Sequence, residues 1–282
     1  MSYILLSIVL FSLNNVLWKK NLEKTNTFFL ISYRAFFTSI FTLIMLFLFL
    51  KSIPKVEDIL KITFGSLLGA VGLICMLKAI KNNALQWLGI YNLIGVLIIY
   101  AHLYLFEGFT KTPSYMGISF ILIGYVSYLI SNTHKATKVA LKTHVLFLIM
   151  IICFSYSSII HWKNLTSDIS PIFIVANQEI VVFIISTFLL LFNSKKEIKR
   201  ANYQKNVQKV LIMSVLIVVA MYFSLKGIKI TDPLIASVLF LANPLTTILF
   251  SSLFFKERIS LIQITAILLI SIGAFLIHFQ TN

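Results

Sequence analysis

The chain has 282 residues, 59% hydrophobic and only 12% charged, with a mean hydropathy of +0.95, a composition that excludes an ordinary water-soluble domain. Its 24 Lys and Arg against nine Asp and Glu leave a net charge of +15, but the cations fall between apolar runs and form no single basic face. They read as membrane flanks, with the lipid bilayer and not a nucleic acid as the expected partner.

The first run, MSYILLSIVLFSLNNVLW, has neither a basic leading segment nor a small-x-small cleavage site, so it is expected to stay in place as a first membrane span over 3–19. Further runs of about 20 apolar residues, the length a helix needs to cross hydrocarbon, follow at 27–50, 62–80, 84–106, 114–132, 144–162, 171–192, 209–228, 233–255 and 260–279. Most connections are short and polar, as in NLEKTNT, KSIPKVED and TKTPS. Two are longer, SNTHKATKVALKTH and NSKKEIKRANYQKNVQK. Cys75 and Cys153 both lie inside apolar runs, which supports neither a disulfide framework nor a thiolate metal site, and no cofactor is expected.

The second half echoes the first. LFEGFT around Glu107 returns as FFKERIS around Glu257, LWKKNL at 17–22 as HWKNL at 161–165, LKAIKNNAL at 77–85 as LKGIKITDPL at 225–234, and GISFILIG at 117–124 as AILLISIG at 266–273. Arg34 falls opposite Gln178 at a similar offset. Ordered echoes of this kind indicate a duplicated unit, here residues 1–133 and 144–282 joined by a linker at 134–143. Because each unit holds an odd number of spans, the second enters the membrane from the opposite side. The expected fold is therefore an all-α polytopic membrane protein of ten transmembrane helices in two inverted five-helix repeats, with a solute site near the midplane between them.

The same ordered motifs resemble the drug/metabolite transporter superfamily, in particular its EamA-type ten-helix members. The resemblance rests on ISYRAFFTS in the second span, LKAIKNNA closing the third, FEGFT closing the fourth, the glycines of the fifth, and LKGIKITDP, NPLTTILFSSLFFKERIS and ITAILLISIGAFLI in the second half. Family members commonly carry a Trp-Gly pair in the first span, where this chain has SLNN at 12–15, so a substrate rule attached to that pair does not carry over. The resemblance implies a secondary transporter, an exporter or exchanger of a small organic metabolite such as an amino acid or nucleoside-like compound, multi-pass in the inner (plasma) membrane, as a monomer or a homodimer. The Gly-x-x-x-x-Gly-Lys-Ser/Thr loop of nucleotide-driven pumps does not occur. The rival class, an intramembrane lipid-modifying enzyme, would need converging catalytic groups, and the five histidines are scattered along the sequence.

Polar groups inside the spans are costly and are the candidates for function. Asn14 in the first span corresponds by the repeat offset to Ser158 in the sixth, and an Asn in hydrocarbon needs a partner or a substrate. Asn92 and Asn243 sit at neighbouring offsets, and Pro244 after Asn243 should break its helix and free a carbonyl. Tyr91, Tyr156 and Tyr222 lie deep in the fourth, sixth and eighth spans, which line the cavity in the family this chain resembles. Trp87 and Trp162 sit at span ends as belt residues. Those seven residues, Asn14, Tyr91, Asn92, Tyr156, Ser158, Tyr222 and Asn243, form the expected substrate site.

Arg34 and Glu179 are the expected gating or coupling residues, Arg34 alternatively a snorkelling helix-end cation and Glu179 alternatively a neutral, hydrogen-bonded acid. Because their spans start on opposite faces, the two are expected to serve opposite ends of the molecule. Glu107 and Glu257, at helix C-termini where the dipole disfavours carboxylates, are expected to fasten loops through Lys111, Lys256, Arg258 or lysines closing neighbouring helices. Orientation is contested: about 16 of the Lys and Arg lie on the side away from the termini, which by the positive-inside rule puts the termini outside, whereas the resemblance implies cytoplasmic termini.

Overall fold

The structure, a computed structural model, describes residues 1–22, 26–50, 53–81, 85–108, 115–133, 140–193, 207–255 and 260–281. These form α1 (Ser2–Leu22), α2 (Thr27–Phe49), α3 (Val56–Lys81), α4 (Leu85–Phe106), α5 (Tyr115–Thr133), α6 (Leu141–Thr166), α7 (Pro171–Asn193), α8 (Val207–Ile230), α9 (Pro233–Phe240), α10 (Ala242–Phe255) and α11 (Leu261–Thr281), with no strand among the described residues. Six stretches are long and apolar enough to cross a membrane: α2, most of α3, α6, most of α7, α8, and residues 233–254. Four shorter apolar helical stretches lie at Ser2–Trp18, Ile90–Phe106, Tyr115–Ile130 and Leu261–Ile277.

Local chemistry sets the helix ends. Asn26 caps α2 by accepting from the amides of Phe28 and Phe29, and Asp232 caps α9 by accepting from Ile235, ahead of Pro233 in the first turn. Ser260 and Gln263 form a reciprocal capping box at the start of α11. The end of α6 is closed by Asp168 at φ 59°, with the Ile169 amide donating to Asn164 O and the Asp168 amide to Leu165 O, the pair of hydrogen bonds that satisfies terminal carbonyls. α3 begins six residues earlier than its apolar run, because Glu57 and Asp58 sit favourably in the first turn against the helix dipole. α6 likewise reaches back to Leu141, into the expected linker, whose residues 134–139 lie outside the described residues.

The break expected at Pro244 is present and falls at Leu241, between α9 and α10. Proline has no amide to donate to the carbonyl four residues back, that of Phe240, so the continuous hydrogen-bond ladder stops there. The Leu241 amide turns instead to Val238 O, a tighter bond one residue short of the α-helical spacing.

Pairwise contacts give the helix directions. Ser32 meets Thr187, Phe36 meets Phe183 and Thr38 meets Glu179, so α2 and α7 run antiparallel. Gly65, Gly69 and Gly72 of α3 face His161, Ser157 and Phe154 of α6 in descending order, again antiparallel. The same holds for α5 and α11 (Gly117 against Ile277, Gly124 against Ala266) and for α1 and α8 (Ile4 against Gly227, Asn21 against Met213). By contrast α4 runs parallel to α6, pairing Tyr91 with His144, Gly95 with Ile151 and His102 with Tyr156. α1 runs parallel to α10, pairing Ser12 with Asn243 and Asn15 with Thr247. The largest apolar cluster joins Ile4 and Ile8 of α1 to Ile121 and Tyr125 of α5, Leu239 of α9 and Ile270 of α11. Chain ends and middle thus share one interior.

Candidate functional site: an interior polar belt

A buried ion pair crosses the α2–α7 contact. Arg34 Nη2 lies 2.9 Å from Glu179 Oε2, and each side chain is only 2% exposed. Thr38 Oγ1, one turn beyond Arg34, donates to the same carboxylate oxygen at 2.5 Å. The Arg34 guanidinium also lies 5.8 Å from the ring centre of Trp18 on α1, and the Arg34 carbonyl accepts from Ser214 of α8. Four helices therefore meet at one arginine.

This arrangement overturns the expectation that Arg34 and Glu179 serve opposite ends. That expectation counted depth from each helix's own start. In the observed register Thr38 is level with Glu179, so the carboxylate lies about four residues, or ~6 Å of rise, along from Arg34, a gap that an extended arginine bridges. Pairing in the interior also replaces the snorkelling alternative for Arg34, whose side chain does not reach out.

A second polar group surrounds the break between α9 and α10. Ser12 Oγ donates to Asn243 Oδ1 at 2.7 Å and lies 3.1 Å from Asn243 O. Asn15 Nδ2 reaches Thr247 Oγ1 at 3.5 Å, and Thr247 bonds back to Asn243 O at 2.8 Å. Ser12 and Asn15 lie three apart and Asn243 and Thr247 four apart, so each pair occupies one helix face. Hydroxyls and carboxamides alone make up this cluster, with no charge.

The other predicted substrate residues are dispersed, and among the described residues no hydrogen bond or ring contact joins any two of the seven. Asn14 is 2% exposed and its Oδ1 has no hydrogen-bond partner. Tyr91 is buried, its hydroxyl 2.9 Å from His144 Nδ1 and its ring stacked on Phe147 at 5.0 Å, so it fastens α4 to α6. Asn92 hydrogen-bonds Tyr125 of α5. Ser158 is half-buried, and Tyr222 lies under the Lys226 ammonium at 5.4 Å. Tyr156 is 39% exposed, in line with Val145, Leu148, Ile149 and Ile152 on the face that α6 turns away from α3.

Glu107 follows the last residue of α4 and meets Lys163 Nζ at 2.5 Å, with His102 Nε2 at 3.6 Å. The hydrogen bond from Lys163 holds its carboxyl below the usual carboxylate range against the opposing effect of burial. The partner is thus a lysine closing a neighbouring helix, one of the expected alternatives. Lys111, Lys256, Glu257 and Arg258 lie outside the described residues, as does the Trp87 side chain. Sequence reasoning passed over Thr38, Ser214 and Trp18 around the ion pair, and Ser12 and Thr247 at the break. Only the i, i+4 spacing of Arg34 and Thr38 and the shared faces of the hydroxyl and amide residues could have flagged them.

Residues 141–279 match the model of the EamA-like transporter family, part of the drug/metabolite transporter superfamily. The second half of the chain belongs to this family. As an EamA-like protein with several long apolar helices it is a multi-pass membrane protein concerned with transport. No curated protein matches the chain. Among solved structures, one described only as the crystal structure of a protein is similar over 99% of each chain with a TM-score of 0.77 at 15% identity, a likeness of fold.

Proposed function

We propose that this EamA-like protein is a secondary active transporter, an exporter or exchanger, of a small organic metabolite such as an amino acid or nucleoside-like compound, with ten spans arranged as two inverted five-helix repeats in the inner (plasma) membrane. The observation that carries the reading is an exchange symmetry in the packing. Replace α1, α2, α3, α4 and α5 by α6, α7, α8, α9–α10 and α11, and the reverse. The α3–α6 contact becomes α8–α1, α4–α6 becomes α10–α1, and α2–α7 and α5–α11 become themselves. A two-fold axis in the membrane plane requires self-paired helices to be antiparallel, and both are. Gly117 against Gly273 and Gly124 against Ala266 exchange with each other under the same operation.

The solute site is assigned to the break between α9 and α10, where Ser12, Asn15, Asn243 and Thr247 converge, because interrupted helices are where transporters of this plan expose backbone groups to a cavity. Uncharged amide and hydroxyl groups suit a small polar organic solute better than a bare ion. Arg34 and Glu179, paired across the two halves, are assigned the gating role.

The reading is tested in proteoliposomes by counterflow of amino acids, nucleosides and sugar-linked metabolites. A saturable flux accelerated by solute on the far side, and reduced in Asn243→Ala, is expected for at least one class. Absence of exchangeable flux for every class sinks the carrier assignment. Cysteine labelling at positions 107 and 257 tests the inversion separately, since inverted repeats put them in opposite compartments.

A further inference from the structure

We propose that His161 is a proton-binding site whose protonation opens the seam between α3 and α6 and so couples this transporter to the proton gradient. The proposal rests on the carrier reading above, and concerns a histidine that neither the gate nor the solute site uses. His161 is 3% exposed, in the last two turns of α6. Gly65 of α3 packs directly on the ring: a Cβ there would lie 2.9 Å from Cε1 and 3.2 Å from Nδ1. The Gln178 amide of α7 lies beside the ring as its hydrogen-bonding neighbour, yet neither ring nitrogen meets a partner at good geometry. Next to these residues in sequence or one turn away, Ser66 Oγ, Asn164 Nδ2 and Asn177 Oδ1 are also buried without partners. Buried polar atoms are normally satisfied, so an unpartnered ring with unpartnered polar groups close to it in sequence is able to take something up.

What it takes up is limited by space. A Cβ at Gly69 would come within 3.0 Å of Gln178 Nε2 and 3.2 Å of Ser157 Oγ, so side chains of α6 and α7 press directly on the α3 backbone and leave no room there for a solute. A proton needs no room. It is drawn from water, forms an N–H bond at the free ring nitrogen, and breaks no bond in the protein.

Once charged, the ring has no counter-ion among the described residues. From α3 the titratable side chains nearest in sequence are Asp58 and Lys61, which face each other at 3.8 Å. From α7 comes Glu179, held by Arg34 and Thr38; from α4 Glu107 and from α6 Lys163, paired together, with His102 beside them. Lys229 of α8 pairs with Asp168, Lys226 stacks on Tyr3 and Tyr222, and Asp232 caps α9. Among the described residues none forms an ion pair with His161. An imidazolium in this dry seam is therefore stabilised only if α3 and α6 part and admit water to it and to the orphaned groups. The seam joins the first half of the chain to the second, so its parting is a step of the rocking motion itself.

The protein carries its own reporters. Cys75 on α3 and Cys153 on α6 are its two cysteines, both buried on the same seam, one turn or less beyond the Gly72–Phe154 contact. The experiment is maleimide labelling of the native cysteines in nanodiscs between about pH 8 and about pH 5, the interval across the ordinary histidine range. Rates are compared with His161→Gln at each pH, so that intrinsic thiol reactivity cancels. Labelling of the wild type relative to the variant is expected to rise about ten-fold on acidification, equivalent to one unit of proton linkage. Equal pH dependence in the two proteins overturns the proposal. If His161→Gln does not fold, hydrogen exchange on the wild type alone decides: loss of protection at acid pH confined to α3 and α6 supports it, and uniform loss that includes α5 and α11 overturns it. Neither assay needs a solute, so a flat response removes the proton switch while the carrier reading stands or falls on counterflow.

Discussion

Along α5 and α11 the contact is made by backbone. A Cβ at Gly117 would lie 2.8 Å from Gly273 O, and a Cβ at Gly273 only 2.5 Å from Gly117 O, so the two backbones touch at these glycines. Along α2 and α7, equally antiparallel, the contact is made by a buried ion pair with a threonine on the same carboxylate oxygen. The first seam has little room to rearrange, because at the glycines no side chain separates the backbones. The second is held by charges that must stay together while they stay buried. One seam is suited to remain closed, and the other stays closed only while its partners are intact.

The largest effect should come from breaking the ion pair. Glu179→Ala strands a guanidinium in the interior, and a loss of about 3–5 kcal/mol is expected in thermal or denaturant unfolding in detergent. The double change Arg34→Leu with Glu179→Leu should recover most of it. A single change costing less than about 1 kcal/mol would mean that the pair does not hold the seam.

Next comes Gly273→Ala, whose added methyl meets a backbone oxygen that cannot swing aside. Overpacking of this kind costs about 1–3 kcal/mol, and the lesion should not depend on pH. A neutral result would show that α5 and α11 separate easily.

The smallest effect is at Glu107 and Lys163. Lys163 depresses the Glu107 carboxyl, so the pair stabilises the fold above the ordinary carboxylate range, and this contribution fades as pH falls through the depressed folded value. Lys163→Met should remove that pH-dependent part, about 0.2–1 kcal/mol for a pair this open to solvent, and leave stability at strongly acid pH unchanged. An undiminished acid transition in the variant would assign it to another carboxylate.

The all-helical character, six of the ten membrane-length runs and the interruption near Pro244 could be read directly from the sequence. Each depends on local chemistry: run length against bilayer thickness, a missing amide, and Asn, Ser or Asp at a helix start. Family membership was legible too, since LKGIKITDP and NPLTTILF are contiguous strings. The candidate site was less legible. Tyr91 and Tyr156 look alike as aromatic residues in apolar runs, but Tyr91 is buried on His144 and Phe147 whereas Tyr156 is part-exposed and meets only the edge of the α4 contact at His102. No pattern within a single helix tells which neighbour it will face when nearly every residue around it is apolar.

What the sequence determined by itself, then, was where helices begin, end and break, because those outcomes are decided within a few residues by capping, dipoles and proline. What only the tertiary structure decided was which distant groups share a site: Arg34 with Glu179, Ser12 with Asn243, His161 with Gly65 and Gln178. The physical reason is register. Sliding one long helix along another by a single turn, about 5.4 Å, costs little in exchanged apolar contacts but joins or parts every polar pair between them.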